Sequence, residues 1–175
     1  MTTDAATPER NPFLEAVGRV TVAGAHLDRY LHTLLGSLAM EPTLLVLANA
    51  EGTARLIELC ELALKCYDHN AEDVTDVKDC LARAKVLKGK RNTIVHSLFM
   101  QAEEGDGFKA MTPVRKTLGH SATPFTVEEM EAVAKEIDAL LHDLFRAGWN
   151  LRSRLTGMRH IPLQAEPAEV PRSGT

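Results

Sequence analysis

The sequence predicts an all-α fold, a bundle of about four main helices with a small β-hairpin inserted between the third and the fourth. Three observations carry this expectation. An apolar stripe runs at helical spacing through Phe13, Val17, Val20, Gly24, Leu27, Leu31, Leu34 and Leu38. A capping box, Thr126-Val127-Glu128-Glu129, stands at the head of a second long stripe. Hydrophobic residues make up 45% of the chain but aromatics only 5%, and such an aliphatic core suits helix-on-helix packing better than packed strands.

The first helix is expected to start at Pro12, a residue tolerated in a first turn, and to end at Glu41-Pro42. Gly24 lowers helix propensity inside its stripe and offers room for another helix to come close. Residues 43–50 are apolar but short, and a helical turn and an extended connector both fit them. A second helix follows Gly52, with Thr53 as N-cap and Leu56, Ile57, Cys60, Ala63, Leu64 and Tyr67 as its inner face; Asp68-His69-Asn70 ends it. The third helix is expected over about 73–97, with Val74, Val77, Leu81, Ala84, Leu87, Ile94, Val95 and Leu98 facing inward. Lys88-Gly89-Lys90-Arg91-Asn92 interrupts that stripe, and interruptions of an otherwise clean pattern mark sites. Residues 97–101 and 108–114 flank Glu103-Glu104-Gly105-Asp106-Gly107 as a hairpin or loop. The last helix buries Met130, Val133, Ile137, Leu140, Leu141, Leu144 and Leu151, with Gly157 as its C-cap. The long first, third and fourth helices are expected to pack antiparallel. The domain organisation is therefore a flexible N-terminus (1–11), one helical domain (12–158) and a disordered tail (159–175).

A length of 175 residues fits one domain with a sizeable core. The net charge of -4 means that any nucleic-acid role needs a local basic patch, not a basic chain. No secretory signal and no membrane-length apolar run are seen, so membrane association is not expected and a cytoplasmic location is. Cys60, Cys66 and Cys80 are odd in number and lack C-x-x-C spacing, which argues against a disulfide framework or a zinc site. No metal site and no cofactor site is expected.

The chemistry concentrates in Lys90-Arg91-Asn92-Thr93-Ile94-Val95-His96. On a helix, Asn92 and His96 share a face. Arg91 lies about 140° round from His96, yet its long side chain can lean into the same groove. An imidazole exchanges protons near neutral pH, a guanidinium offers a phosphate forked donors, and an amide can orient either. Together they suit attack of an RNA 2′-hydroxyl on the adjacent phosphate without a metal, giving a 2′,3′-cyclic phosphate. Arg83, Lys85, Lys88, Lys90 and Arg91 put five positive charges within nine positions, a field suited to RNA; a solvated helix face is the plainer alternative. His26, His32 and His142 read as exposed or satisfied histidines, and Arg115, Lys116 and His120 as loop residues that could add RNA contacts.

Arg91-Asn92-Thr93-Ile94-Val95-His96, followed by Ser97-Leu98-Phe99, resembles the R-x4-6-H signature of the HEPN superfamily of helical domains. The order of elements from about Phe13 to Gly157 is similar as well. The resemblance implies an HEPN-like bundle acting as a metal-independent endoribonuclease. It implies a homodimer in which the arginine and histidine of both copies meet in one composite cleft, with toxin or phage-defence roles among the members. Arg91 would then stabilise phosphate charge, His96 act as acid or base, and Asn92 position both. A separate antitoxin or nucleotidyltransferase partner is implied by the same likeness. The alternative is a non-catalytic HEPN-fold module for dimerisation, or for RNA or protein binding.

Overall fold

The computed structural model, which describes residues 10–101, 108–113 and 119–162, is a helical bundle carrying a small antiparallel sheet. Its elements are α1 (Pro12–Ala39), α2 (Pro42–Ala48), α3 (Thr53–Cys66), α4 (Ala71–His96), β1 (Leu98–Gln101), β2 (Phe108–Pro113), β3 (His120–Phe125) and α5 (Val127–Thr156).

Each boundary has a local cause. Asn11 caps α1 by accepting from the Leu14 N–H at 3.2 Å, and Met40 closes the helix in the left-handed region at φ 50°. Residues 43–50, left open by the sequence, contribute to the short helix α2. The Glu41 carboxylate accepts the Thr43 N–H at 3.0 Å, and that bond pulls its pKa below the usual range. In α3 the N-cap is Gly52, not Thr53. Thr53 is the first helical residue and its hydroxyl donates to Asp28 of α1. The helix stops at Cys66, so Tyr67 leaves with extended backbone and is 45% exposed, not part of the inner face. Asn70 caps α4 through the Glu72 N–H at 2.9 Å, starting that helix two residues earlier than expected. The Thr126–Glu129 capping box and the left-handed Gly157 bound α5 as the sequence predicts.

The predicted stripes supply most of the core; Leu98, expected to face inward at the end of the third stripe, instead begins β1 and is 70% exposed. Val20, Leu27, Leu31, Leu34 and Leu38 of α1 meet Leu56, Ile57 and Cys60 of α3, Val77, Leu81, Ala84 and Leu87 of α4, and Met130, Ile137, Leu140 and Leu144 of α5. Helix direction follows from pairings along each seam. As α4 numbers rise, their α5 partners fall: Asp73 with Arg154, Asp76 with Arg146, Arg83 with Asp143, Lys90 with Glu136. These two helices are therefore antiparallel. Arg19 meets Glu131 near the start of α1, and Gly148 lies against Ser37 and Leu34 near its end, so α1 and α5 run parallel, not antiparallel as expected.

The insertion is a three-stranded sheet of order β1-β2-β3 rather than a two-stranded hairpin. The added strand pairs Phe108 with Phe125 and Pro113 with His120. Its Pro124 lacks an N–H, which an edge strand tolerates. Phe13 holds the sheet to α1, with ring centroids 5.0 Å from Phe99 and 4.2 Å from Phe108. The expected hairpin turn at 103–107, and Arg115 and Lys116, lie outside the described residues, as do 1–9 and 163–175.

The start of the expected tail is tied down. Asn150, 1% exposed, accepts the Ile161 N–H at 2.8 Å and donates to its carbonyl at 2.9 Å. The Trp149 indole donates to the Arg159 carbonyl at 2.9 Å. Residues 159–162 therefore belong with the domain. Among the described residues, no helix is long and apolar enough to cross a membrane.

Candidate functional site

A shallow groove of about 320 Å3 lies between the first turn of α3 and the last two turns of α4, lined by Gly52, Thr53, Ala54, Arg55, Lys88, Arg91, Asn92 and His96. Lys88, Asn92 and His96 stand one turn apart on α4, while Arg91 reaches the groove by leaning across α1.

Gly24 makes that lean possible. A Cβ there would sit 2.7 Å from Arg91 Nε and 3.3 Å from its Cγ. The close approach expected at Gly24 is thus the stem of one arginine, laid across the bare backbone of α1. The guanidinium is then held from one side. Arg91 Nη1 donates to Asn92 Oδ1 at 3.0 Å, whereas Nε is buried without a partner among the described residues. Buried unpaired donors are rare and ask for an explanation such as a ligand or a catalytic role. Asn92 spends its carbonyl on Arg91. Its amide N–H groups have no hydrogen bond among the described residues.

His96 is the last residue of α4 and its ring is exposed. The chain turns at Ser97, whose hydroxyl meets that of Thr112 at 2.9 Å and so fixes where the helix yields to the sheet. Arg91 and Asn92 are half-buried. The three residues are thus open to one groove and not walled off by apolar packing.

Sequence reasoning missed the opposite wall. With glycine at the N-cap, no side chain caps α3, and its first internal bond is Leu56 N–H to the Gly52 carbonyl at 3.1 Å. Among the described residues, the amides of Thr53, Ala54 and Arg55 have no acceptor. Free N–H groups at the positive end of a helix favour an anion. The signal was available in Glu51-Gly52-Thr53, had the threonine been read one position later.

The predicted basic stripe divides. Arg83 donates to Asp143 at 2.6 Å, a bond that pushes its already high pKa further up. Lys90 pairs with Glu136 at 2.8 Å and Lys85 with Glu61 at 2.6 Å. These three side chains brace α4 against α5 and α3. Lys88 alone of the four joins Arg91 in the groove, and it has no acidic partner among the described residues. His32 is satisfied by the Leu45 carbonyl at 2.9 Å, while His26, His120 and His142 are exposed. Cys60 and Cys80 are buried as free thiols. No protein-family model, curated protein or solved structure matches the chain.

Proposed function

We propose that the chain is an HEPN-like, metal-independent endoribonuclease that cleaves RNA by 2′-hydroxyl attack in a cleft shared by two copies. The observation that carries this reading is the convergence of Lys88, Arg91, Asn92, His96 and the uncapped start of α3 on one groove. An RNA phosphate set there would meet Lys88, Arg91 and a row of free amides, while Arg55 is already engaged by Glu58 at 3.0 Å. As charge builds on its oxygens in the transition state, these donors strengthen their hold on it. Asn92 keeps the Arg91 fork turned toward the phosphate.

The covalent step balances without a further reactant. An imidazole takes the 2′-hydroxyl proton, the O2′–P bond forms as the P–O5′ bond breaks, and a proton passes to the leaving 5′-oxygen. The products are a 2′,3′-cyclic phosphate and a 5′-hydroxyl. One imidazole cannot take and give a proton at the same moment. Two copies facing each other supply two, which is the reason for a homodimer in this reading. Roles in toxicity or phage defence, and a separate antitoxin or nucleotidyltransferase partner, follow from the resemblance and belong to the proposal.

The test uses purified protein, structured and unstructured RNA, and a chelator. Cleavage that persists in chelator, leaves cyclic phosphate ends and falls about 10²–10⁴-fold in His96→Ala is expected. RNA left intact by a folded dimer would overturn the catalytic reading in favour of the non-catalytic module. A strictly monomeric mass in solution would overturn the shared cleft.

A further inference from the structure

A second recess, of about 330 Å3, lies on another face of the bundle, where α1 and α5 run side by side. Its floor is closely packed and mixes apolar with hydroxyl surface: a Cβ on Gly148 would project to within 3.4 Å of Ser37 Oγ and 3.6 Å of Leu34. Tyr30, Phe145 and Trp149 form its walls. Phe145 and Trp149 are stacked at 6.2 Å with 30° between ring planes, and Phe145 is 52% exposed, more than packing requires of so large a ring. Arg29 and Arg152 stand at the rim, and no acidic residue lines the recess.

The arginines separate by task. On α5, Arg146 and Arg154 turn to acids of α4, whereas Arg152 between them turns away and has no acidic partner among the described residues. Arg29 and Arg159 are likewise without one, and the Arg159 carbonyl holds the Trp149 indole. In a chain of net charge -4, an acid-free recess with unpaired guanidinium groups and flat rings is complementary to an anion with a flat apolar part. A cavity of this size holds one ligand-sized group. Base stacking on exposed rings, with arginines tracking the phosphates, is how single strands are held without sequence preference.

We infer that this recess binds a nucleotide of single-stranded RNA, a base between Tyr30 and the Phe145–Trp149 pair and its flanking phosphates on Arg29 and Arg152. The inference rests on the nuclease reading for its choice of RNA, and it names the substrate class: RNA with an unpaired stretch outside the cleavage groove.

Trp149 is the only tryptophan in the chain, so its emission reports this recess directly. The experiment titrates the full chain carrying His96→Ala with a short oligouridylate and a short oligoadenylate, following tryptophan emission and, separately, anisotropy of a labelled oligonucleotide. Saturable quenching is expected. In the same background, Phe145→Ala weakens binding about tenfold or more. Arg152→Ala makes the log–log salt dependence shallower by about 0.7, the share of a single phosphate on a single strand. Circular dichroism checks that both variants are folded. Binding that leaves Trp149 emission and both variants unaffected overturns the inference. Quenching by an acidic, apolar peptide but not by RNA also overturns it and gives the recess to a protein. Quenching by RNA in a wild-type protein that cleaves nothing sinks the nuclease reading alone; cleavage without quenching sinks this one alone.

Discussion

Gly24→Ala should stabilise this protein only when Arg91 is absent. Alanine in place of a helical glycine adds about 1 kcal/mol of stability through propensity and loss of unfolded-state freedom. Here the new methyl would lie 2.7 Å from Arg91 Nε, 3.3 Å from Cγ and 3.4 Å from Cδ. Three consecutive atoms of one side chain are crowded, and the nearest is not its free end, so the whole stem must lift off α1. Overpacking of this kind costs about 1–3 kcal/mol. The two terms leave Gly24→Ala neutral to about 2 kcal/mol destabilising in the wild type. In an Arg91→Ala background the obstacle is gone, and the same substitution should stabilise by about 0.5–1 kcal/mol. A four-protein cycle, with urea unfolding followed by circular dichroism, reads the coupling, expected at about 1–3 kcal/mol. Displacement of the guanidinium also breaks its bond to Asn92, so Gly24→Ala should lose RNA cleavage while remaining folded. If Gly24→Ala raises stability equally in both backgrounds, within the few tenths of a kcal/mol expected of independent sites, Arg91 does not lie on Gly24 and the positioning argument fails.

Four further outcomes are expected. Cys60 and Cys80 are each pushed up to about 12 by burial, so at pH 8 a thiol reagent should label exposed Cys66 quickly and the other two at the rate of unfolding. The folded state holds those two protons more tightly than the unfolded chain, so their contribution is complete below about pH 9 and lost toward pH 12; stability should fall by up to about 1.4 kcal/mol per pH unit per thiol in that window, read as the urea midpoint against pH. Asn150→Ala removes both bonds to Ile161 and should cost about 1–3 kcal/mol and open residues 159–162 to early proteolysis; unchanged limited proteolysis would contradict that tie. Lys88→Ala should weaken RNA binding and shallow its salt dependence, whereas Lys85→Ala should leave RNA binding near wild type, since Lys85 is engaged by Glu61; equal effects in a filter-binding series would restore the undivided stripe.

Much of the bundle was legible because the long helices obey local rules. Val20, Leu27, Leu31, Leu34 and Leu38 keep helical spacing and are buried, and the caps at Thr126 and Gly157 sit where their side-chain chemistry puts them. What escaped had weaker local signals. Residues 43–50 are apolar but too short a run to show a period that separates a helix from a connector, and α2 is set by its Glu41 cap and by Leu45 packing on Gly36. Strand β3, His-Ser-Ala-Thr-Pro-Phe, alternates no apolar face of its own and owes its form to pairing with β2. Tyr67 fits the apolar period of α3 but lies one residue past its end, where periodicity no longer applies.

The site divides along the same line. Arg91, Asn92 and His96 could be placed together because helix spacing is enough to do so, given an arginine long enough to lean. The fate of the four remaining cations was not readable, since whether a lysine faces a ligand or a carboxylate depends on what lies across the seam. Asp143 and Glu136 come from α5 and Glu61 from α3, far away in sequence. Those partners neutralise Arg83, Lys90 and Lys85 and leave the positive field to Lys88, Arg91 and the amides of α3. The result is a small electropositive groove on a net-acidic chain, suited to one phosphate rather than to a long duplex. If the chain acts on RNA as proposed, long-range charge would contribute little to affinity, and holding a strand in place would require a contact of another kind, such as stacking on exposed rings. The separation of phosphate chemistry at α4 from flat apolar surface at α5 is what makes the groove and the Trp149 recess complementary in this reading.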